Sequence, residues 1–193
     1  MPEDAPRQVL DADEYLVDCF RLARMIWEDG YRPDFLIALW RGGAPPGIAI
    51  QEYFRYRGHD PYHTAIRTQS MEGVREGNGF DIKGLEHVID AVCAEDRLLF
   101  VDDLFDTGRT MYEVREYLRR RARRNTPEIR VAAVYFRPRR RRFLVGPDYH
   151  LHETERRPLF PHRLTEIEEK HLRETDPELA AAIWDNEETA GAH

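Results

Sequence analysis

LLFVDDLFDTGRTMYEV, residues 98–114, joins two kinds of sequence. Four apolar residues, 98–101, run into Asp102 and Asp103. A third aspartate, Asp106, opens Asp-Thr-Gly-Arg-Thr, and a helix-like pattern follows. A continuous apolar run of this length reads as a strand buried on both faces, as in a parallel sheet. Such sheets bind ligands at the carboxyl ends of their strands. The strand is therefore expected to end at Asp102 and Asp103, with both carboxylates projecting at that rim. Residues 107–110 supply consecutive backbone N–H groups and two hydroxyls at a helix start, a turn suited to phosphate. Gly108 permits close approach of a ligand to the backbone. The aspartates call for other chemistry: sugar hydroxyls, a metal ion, or a proton to exchange. A phosphorylated ribose carrying magnesium and a leaving group offers all three.

Outward from this stretch, strand and helix patterns alternate. Residues 11–28 predict a helix capped by Asp11 or Asp13, with Leu16, Phe20, Ala23 and Trp27 at helical spacing and Gly30 as its stop. FLIAL (35–39) predicts a second buried strand, followed by a helix over 48–56. HTAIR (63–67) is a weaker strand candidate. Residues 85–93 predict a short helix, 108–122 an amphipathic one and RVAAVYF (130–136) another buried strand. The alternation implies an α/β fold, a mostly parallel central sheet flanked by helices. Residues 68–84 carry four glycines among polar residues and read as a mobile loop, a candidate lid. Beyond Leu164 the pattern is helical, with Asp176 and Pro177 marking a new start.

Composition narrows the classes. No apolar stretch approaches the roughly 20 residues of a membrane helix, and MPEDAPRQVL lacks the basic end and apolar centre of a secretory signal. A cytoplasmic location is expected. With 36 acidic and 29 basic residues the net charge is −7, which argues against a nucleic-acid-coating protein. Lysine occurs only at Lys83 and Lys170. Cys19 and Cys93 lie in apolar helical patterns with no CxxC or histidine partner, and read as buried free thiols. His150 and His152 share one strand face without a third ligand, so packing or surface roles are expected. The run RPRRRR (137–142) reads as a solvated loop that aims one or two arginines at the active site.

VDDLFDTGRT resembles the phosphoribosyl-pyrophosphate (PRPP) motif of type I phosphoribosyltransferases: apolar strand, two acids, two variable residues, then Asp-Thr-Gly-x-Thr. FLIALWRGGAPPG resembles that family's pyrophosphate loop, in which the peptide before the arginine is often cis. VYFRPRRRRFLVGPDYHLHETERRPLFPHR resembles the base-binding segment of the hypoxanthine and xanthine-guanine members, through Pro138, Pro147-Asp148-Tyr149, Glu153-Thr154 and Phe160-Pro161-His162. Two positions depart from that pattern. Arg137 stands where a lysine meets the purine 6-oxo group, and Arg157 stands where an aromatic stacks on the base.

The resemblance implies a Rossmann-like fold with a small hood and lid, as a phosphoribosyltransferase domain over 1–163 with a helical extension over 164–193 packed on the domain or on a partner subunit. It implies transfer of 5-phosphoribose from PRPP to a purine base, with Mg²⁺ as cofactor. In this reading Asp102 and Asp103 hold the ribose hydroxyls and the metal's water shell, with Asp103 the candidate metal contact through water. Asp106 is the acid–base group, and Asp106, Thr107, Gly108, Arg109 and Thr110 cradle the 5′-phosphate. Arg41 meets pyrophosphate alongside the Gly42 and Gly43 amides. Arg137, Arg157 and Phe160 are base-binding candidates. A homodimer or homotetramer is expected, with no nucleic-acid or membrane partner. Two other readings stay open: a PRPP-binding regulatory module without catalysis, and transfer to a non-purine base. The sequence leaves open which base is accepted, the oligomeric order, the role of the extension and whether the arginine run meets a regulatory ligand.

Overall fold

A computed structural model of the chain describes residues 9–70, 80–144 and 146–184. It divides into two compact units. The larger spans Tyr15–Arg156, and the smaller joins Met1–Glu14 to Arg157–His193.

Helix α1 (Ala12–Glu28) starts on Asp11, whose Oδ1 accepts the Glu14 N–H at 2.9 Å, and its chain turns away at Gly30 with φ 80°. The buried stripe of α1 is Tyr15, Asp18, Cys19, Leu22, Ala23 and Ile26. Leu16 and Phe20 lie on its exposed flank, at 50% and 40% exposure. Apolar residues border the stripe, and only the sheet selects which of them it covers. Each fully buried leucine or isoleucine contributes about 1.5–3 kcal/mol of transfer free energy.

The larger unit contains β1 (Phe35–Trp40), α2 (Ala44–Tyr56), β2 (Tyr62–Ser70), β3 (Phe80–Lys83), α3 (Glu86–Ala91), β4 (Arg97–Phe105), α4 (Arg109–Ala122), β5 (Glu128–Phe136) and β6 (Tyr149–Glu153). The sheet order is β3-β2-β1-β4-β5-β6, parallel throughout except for the antiparallel β2–β3 pair. From β1 the chain steps outward to β2 and β3, then returns to the other side of β1 for β4, β5 and β6. The order therefore reverses between β1 and β4, the position where open α/β sheets hold ligands.

One core lies between β1, β2, β4 and β5 and the helices α3 and α4, with Ile37, Ile66, Val88, Phe100, Val114, Leu118 and Val131 buried in it. Cys19 is buried as expected, but Cys93 is exposed, because it falls beyond the end of α3. The expected loop at 68–84 is narrower: β2 continues to Ser70 and β3 pairs with it from Phe80, and the lid reading for 71–79 lies outside the described residues. Helix α2 begins at Ala44, four residues earlier than expected, because Pro45 and Pro46 occupy first-turn positions where no intrahelical N–H is needed.

The smaller unit holds α5 (Glu169–Thr175) and α6 (Pro177–Trp184). Asp176 Oδ1 accepts the Leu179 N–H at 3.0 Å, so the expected helix start at Asp176-Pro177 is observed. Ile167, Leu172 and Ala180 form its core, with Val9, Leu179, Ile183 and Trp184 against them. Val9 forms a β-bridge to Leu159. No helix among the described residues is long and apolar enough to cross a membrane.

Candidate functional site

Strand β4 does not end at Val101. It stays in register with β5 through Phe105, pairing Asp102 with Ala133, Leu104 with Tyr135 and Phe105 with Phe136. Its pairing with β1 stops at Ala38–Val101. The last four residues of β4 are thus held on one side and open on the β1 side. That step forms the crevice between β1 and β4.

Because strand side chains alternate, Asp102 and Asp103 point to opposite faces. Asp102 is half-buried, and its Oδ1 accepts the Asp103 N–H at 2.9 Å. Asp103 is completely buried. Its charge acts on Tyr15 and Cys19 of α1: burial first, then Cys19 and Asp103, push the Tyr15 phenol far above its ordinary value. The expectation that both carboxylates project at the rim is corrected. Asp103 is buried beside Tyr15 and Cys19 of α1, and Asp102 is half-buried on the opposite face of the strand.

The turn after β4 has the anticipated form. Gly108 caps α4 in the left-handed region, φ 82°, which favours glycine. Thr107 Oγ1 accepts the Arg109 N–H at 3.3 Å. The first-turn amides of α4 lack intrahelical acceptors by construction, and the helix dipole adds partial positive charge there. Residues 107–110 therefore form a helix start of the kind suited to an anion.

Across the crevice, the Trp40–Arg41 peptide is cis, as the resemblance implied. Arg41 is exposed and makes no ion pair among the described residues. Gly43 donates its N–H to the Leu39 carbonyl at 2.7 Å, so this amide closes the turn and is turned away from any ligand. Glycine is required there for a second reason: a Cβ on Gly43 would fall 2.0 Å from the Val101 carbonyl oxygen. The missing side chain brings the loop after β1 onto β4, so the two motifs share one crevice.

The loop after β5 supplies the third wall. Arg137 is anchored on the Glu155 carbonyl, which accepts from Nη2 at 2.7 Å and Nε at 3.2 Å. Its Nη1 lies 3.5 Å from Asp106 Oδ1. Arg140 approaches the same carboxylate oxygen at 3.6 Å, and the Arg142 N–H donates to the Thr107 carbonyl at 3.0 Å. The arginine run thus folds over the 106–110 turn. Arg140 was not singled out from sequence; within a run of like residues no local signal separates it from its neighbours.

Arg157 and Phe160 belong to the smaller unit. Arg157 Nη2 pairs with Glu166 at 3.2 Å, and Phe160 is fully buried with the Arg163 guanidinium 5.6 Å from its ring centre. His152 Nε2 meets Asp18 Oδ2 at 2.7 Å, and the His152 ring lies against Tyr135; His150 lies against Phe136.

A doubly wound sheet with a glycine-capped helix start and an arginine-glycine loop flanking its switch point is the architecture of a ligand-binding α/β protein. A model of the phosphoribosyl transferase domain matches residues 7–164, and the chain belongs to that family; it is a pentosyltransferase. No curated protein matches the sequence. Among solved structures, the purine phosphoribosyltransferase from Pyrococcus horikoshii Ot3 is 25% identical with TM-score 0.61, covering 80% of this chain and 92% of that one. A hypothetical protein from Neisseria gonorrhoeae with bound ppGpp is 17% identical with TM-score 0.64, covering 90% and 98%. The Helicobacter pylori xanthine-guanine-hypoxanthine phosphoribosyltransferase is 15% identical with TM-score 0.61, covering 86% and 98%. At those two identities the likeness is one of fold.

Proposed function

We propose that the protein transfers the 5-phosphoribosyl group of PRPP to a ring nitrogen of a 6-oxopurine (hypoxanthine, guanine or xanthine) and releases pyrophosphate, a purine-salvage reaction. The observation that carries this reading is the pairing of Arg137 Nη1 with Asp106 Oδ1 at 3.5 Å. A 6-oxopurine presents O6 and N7 side by side on one edge. An arginine donor beside a carboxylate acceptor complements that edge when N7 carries a proton. The purine phosphoribosyltransferase of P. horikoshii, at 25% identity, supports the same acceptor class.

In this reading residues 107–110 and the N-terminus of α4 bind the 5′-phosphate, with Asp106 at the edge of that cradle. Asp102 accepts from the ribose hydroxyls. Arg41 meets the pyrophosphate from the opposite wall with Gly42 beside it, while Gly43 shapes the loop. N9 of the base bonds to C1′ as the bond from C1′ to the pyrophosphate oxygen breaks, and the N7 proton passes to Asp106. Positive charge from Arg41 stabilises the departing anion. Arg137 orients the base.

Among the described residues there is no group of three or more His, Cys, Asp or Glu that would cage a metal. The half-buried Asp102 carboxylate suits a Mg²⁺ ion held mainly by ligand oxygens and water, which would neutralise charge on the leaving group. The buried Asp103 would act behind it, by holding this end of β4 against α1. A homodimer or homotetramer is proposed as well, to which the exposed Leu16, Val17 and Phe20 of α1 lend support; a monomeric mass by light scattering would remove it.

Incubation with PRPP, Mg²⁺ and a panel of purine and pyrimidine bases, with nucleotide and pyrophosphate both measured, tests the reaction. Turnover with hypoxanthine, guanine or xanthine is expected. PRPP binding without turnover on any base would replace the enzyme reading with a regulatory one, and turnover only on pyrimidines would overturn the acceptor.

A further inference from the structure

The outer face of α4 and the loop after β5 border a second, half-open cavity of about 410 Å³. That volume lies within the range of roughly 300–1,000 Å³ typical of small-molecule sites. Arg115 and Arg119 line it from the helix, and Arg142 lines it from the loop. Glu116, the acidic residue in the lining, pairs with Arg119 at 3.3 Å, and Asp148 behind the lining lies 3.8 Å from Arg115, so three arginines against two carboxylates leave one net positive charge. Arg115 is held in place by the Ile129 carbonyl at 3.3 Å and Asp148 at 3.8 Å, and its buried Nε has no acceptor among the described residues. At the cavity wall the Tyr112 and Phe143 rings stack, with centres 4.7 Å apart and planes at 26°. Tyr112 remains 42% exposed and offers an aromatic surface beside the arginines.

One anchored and two exposed guanidinium groups beside a partly exposed aromatic ring suit a ligand that carries both phosphate and a flat heterocycle. We propose that this cavity is a second nucleotide site, separate from the β1–β4 crevice, that takes a nucleoside diphosphate. The diphosphate sits against Arg115, Arg119 and Arg142, and the base sits on Tyr112. A nucleic-acid strand fits less well, because the chain carries a net charge of −7. The site is joined to the first turn through one strut. The Arg142 N–H donates to the Thr107 carbonyl, and the same short loop carries Arg137 and Arg140 to Asp106. Occupancy at Arg142 is therefore felt at the residues that face the base.

Titration of guanosine diphosphate into the full chain tests this, with PRPP and Mg²⁺ present to fill the 106–110 turn. One diphosphate per chain is expected to bind. The double variant Arg119→Gln, Arg142→Gln, both at exposed positions, should weaken that event at least 10-fold while leaving PRPP affinity unchanged. Tyr112→Ala should weaken guanosine diphosphate at least 10-fold and inorganic pyrophosphate less than 2-fold. The proposal is overturned if no binding is seen, if the double variant binds like the wild type, or if pyrophosphate binds as tightly as the nucleotide. A single-stranded oligonucleotide that outcompetes the diphosphate, with steep salt dependence, would overturn it in favour of nucleic acid. These readouts depend on the second cavity alone, so they stand or fall separately from the base-transfer assay.

Discussion

The guanidinium of Arg137 and the carboxylate of Asp106 meet at 3.5 Å although 31 residues separate them in the chain. Parallel pairing of β4 with β5 brings the ends of both strands to one edge, and the Glu155 carbonyl fixes the guanidinium there. An acceptor and a donor are thereby set side by side at the ends of β4 and β5.

Asp106→Asn keeps the size of the side chain and removes its capacity to take a proton. If Asp106 is the acid–base group, kcat should fall about 10²- to 10⁴-fold, with PRPP affinity changed little. Steady-state kinetics with the preferred base, alongside direct PRPP binding, checks this. Unchanged turnover would remove Asp106 from the role.

Arg137→Lys replaces a planar fork with a single ammonium. The lysine cannot hold both the Glu155 carbonyl and the position beside Asp106 with the same geometry. The ranking of kcat/KM among hypoxanthine, guanine and xanthine should therefore shift, with at least one ratio moving about 10-fold, or roughly 1.4 kcal/mol. A ranking that stays the same would show that Arg137 does not read the 6-oxo group.

Gly43→Ala would set a methyl group 2.0 Å from the Val101 carbonyl oxygen. Backbone must then move, because neither atom belongs to a flexible side chain. Overpacking of this kind costs about 1–3 kcal/mol, occasionally more. Thermal denaturation should show the loss, and PRPP affinity should fall as the loop carrying Arg41 is pushed away from β4. A variant with wild-type Tm and affinity would contradict the close approach.

Burial pushes the Cys19 thiol up to about 12, and the neighbouring Tyr15 phenol is also raised, chiefly by burial. In the unfolded chain the thiol ionises near 8.5. Between these limits the folded chain binds more protons than the unfolded one. This contribution to stability is fully present below about pH 8.5 and is lost as pH rises towards 12. The slope from Cys19 is at most about 1.4 kcal/mol per pH unit. Cys19→Ala should flatten the decline in Tm between pH 9 and 10.5. In the native state a thiol reagent should modify the exposed Cys93 and spare Cys19, giving one reactive thiol per chain until the protein unfolds.

The turn at 106–110 was legible because its determinants are local. Gly108 needs a positive φ, Thr107 reaches an amide two residues on, and the α4 pattern begins at once. The same holds for Asp11 and Asp176 as caps, and for the buried apolar runs of β1, β4 and β5. Strand length was less legible. Nothing in Asp102-Asp103-Leu104-Phe105 alone says strand, and only pairing with β5 keeps those residues extended. The reach of α2 was underestimated for a related reason: glycine and proline punctuate turns and first helical turns alike.

By itself the sequence determined that three aspartates and an anion-binding turn adjoin a buried parallel strand, because strand burial, helix starts and left-handed glycines are written within a few residues. Only the tertiary structure decided which aspartate is buried beside α1 and which stays half-buried, since alternation fixes opposite faces but not what covers each. The tertiary structure likewise decided that Gly43 touches Val101 and that Arg137 and Arg140 reach Asp106. Those contacts depend on strand order and register, and these arise from burial shared among segments distant in the chain.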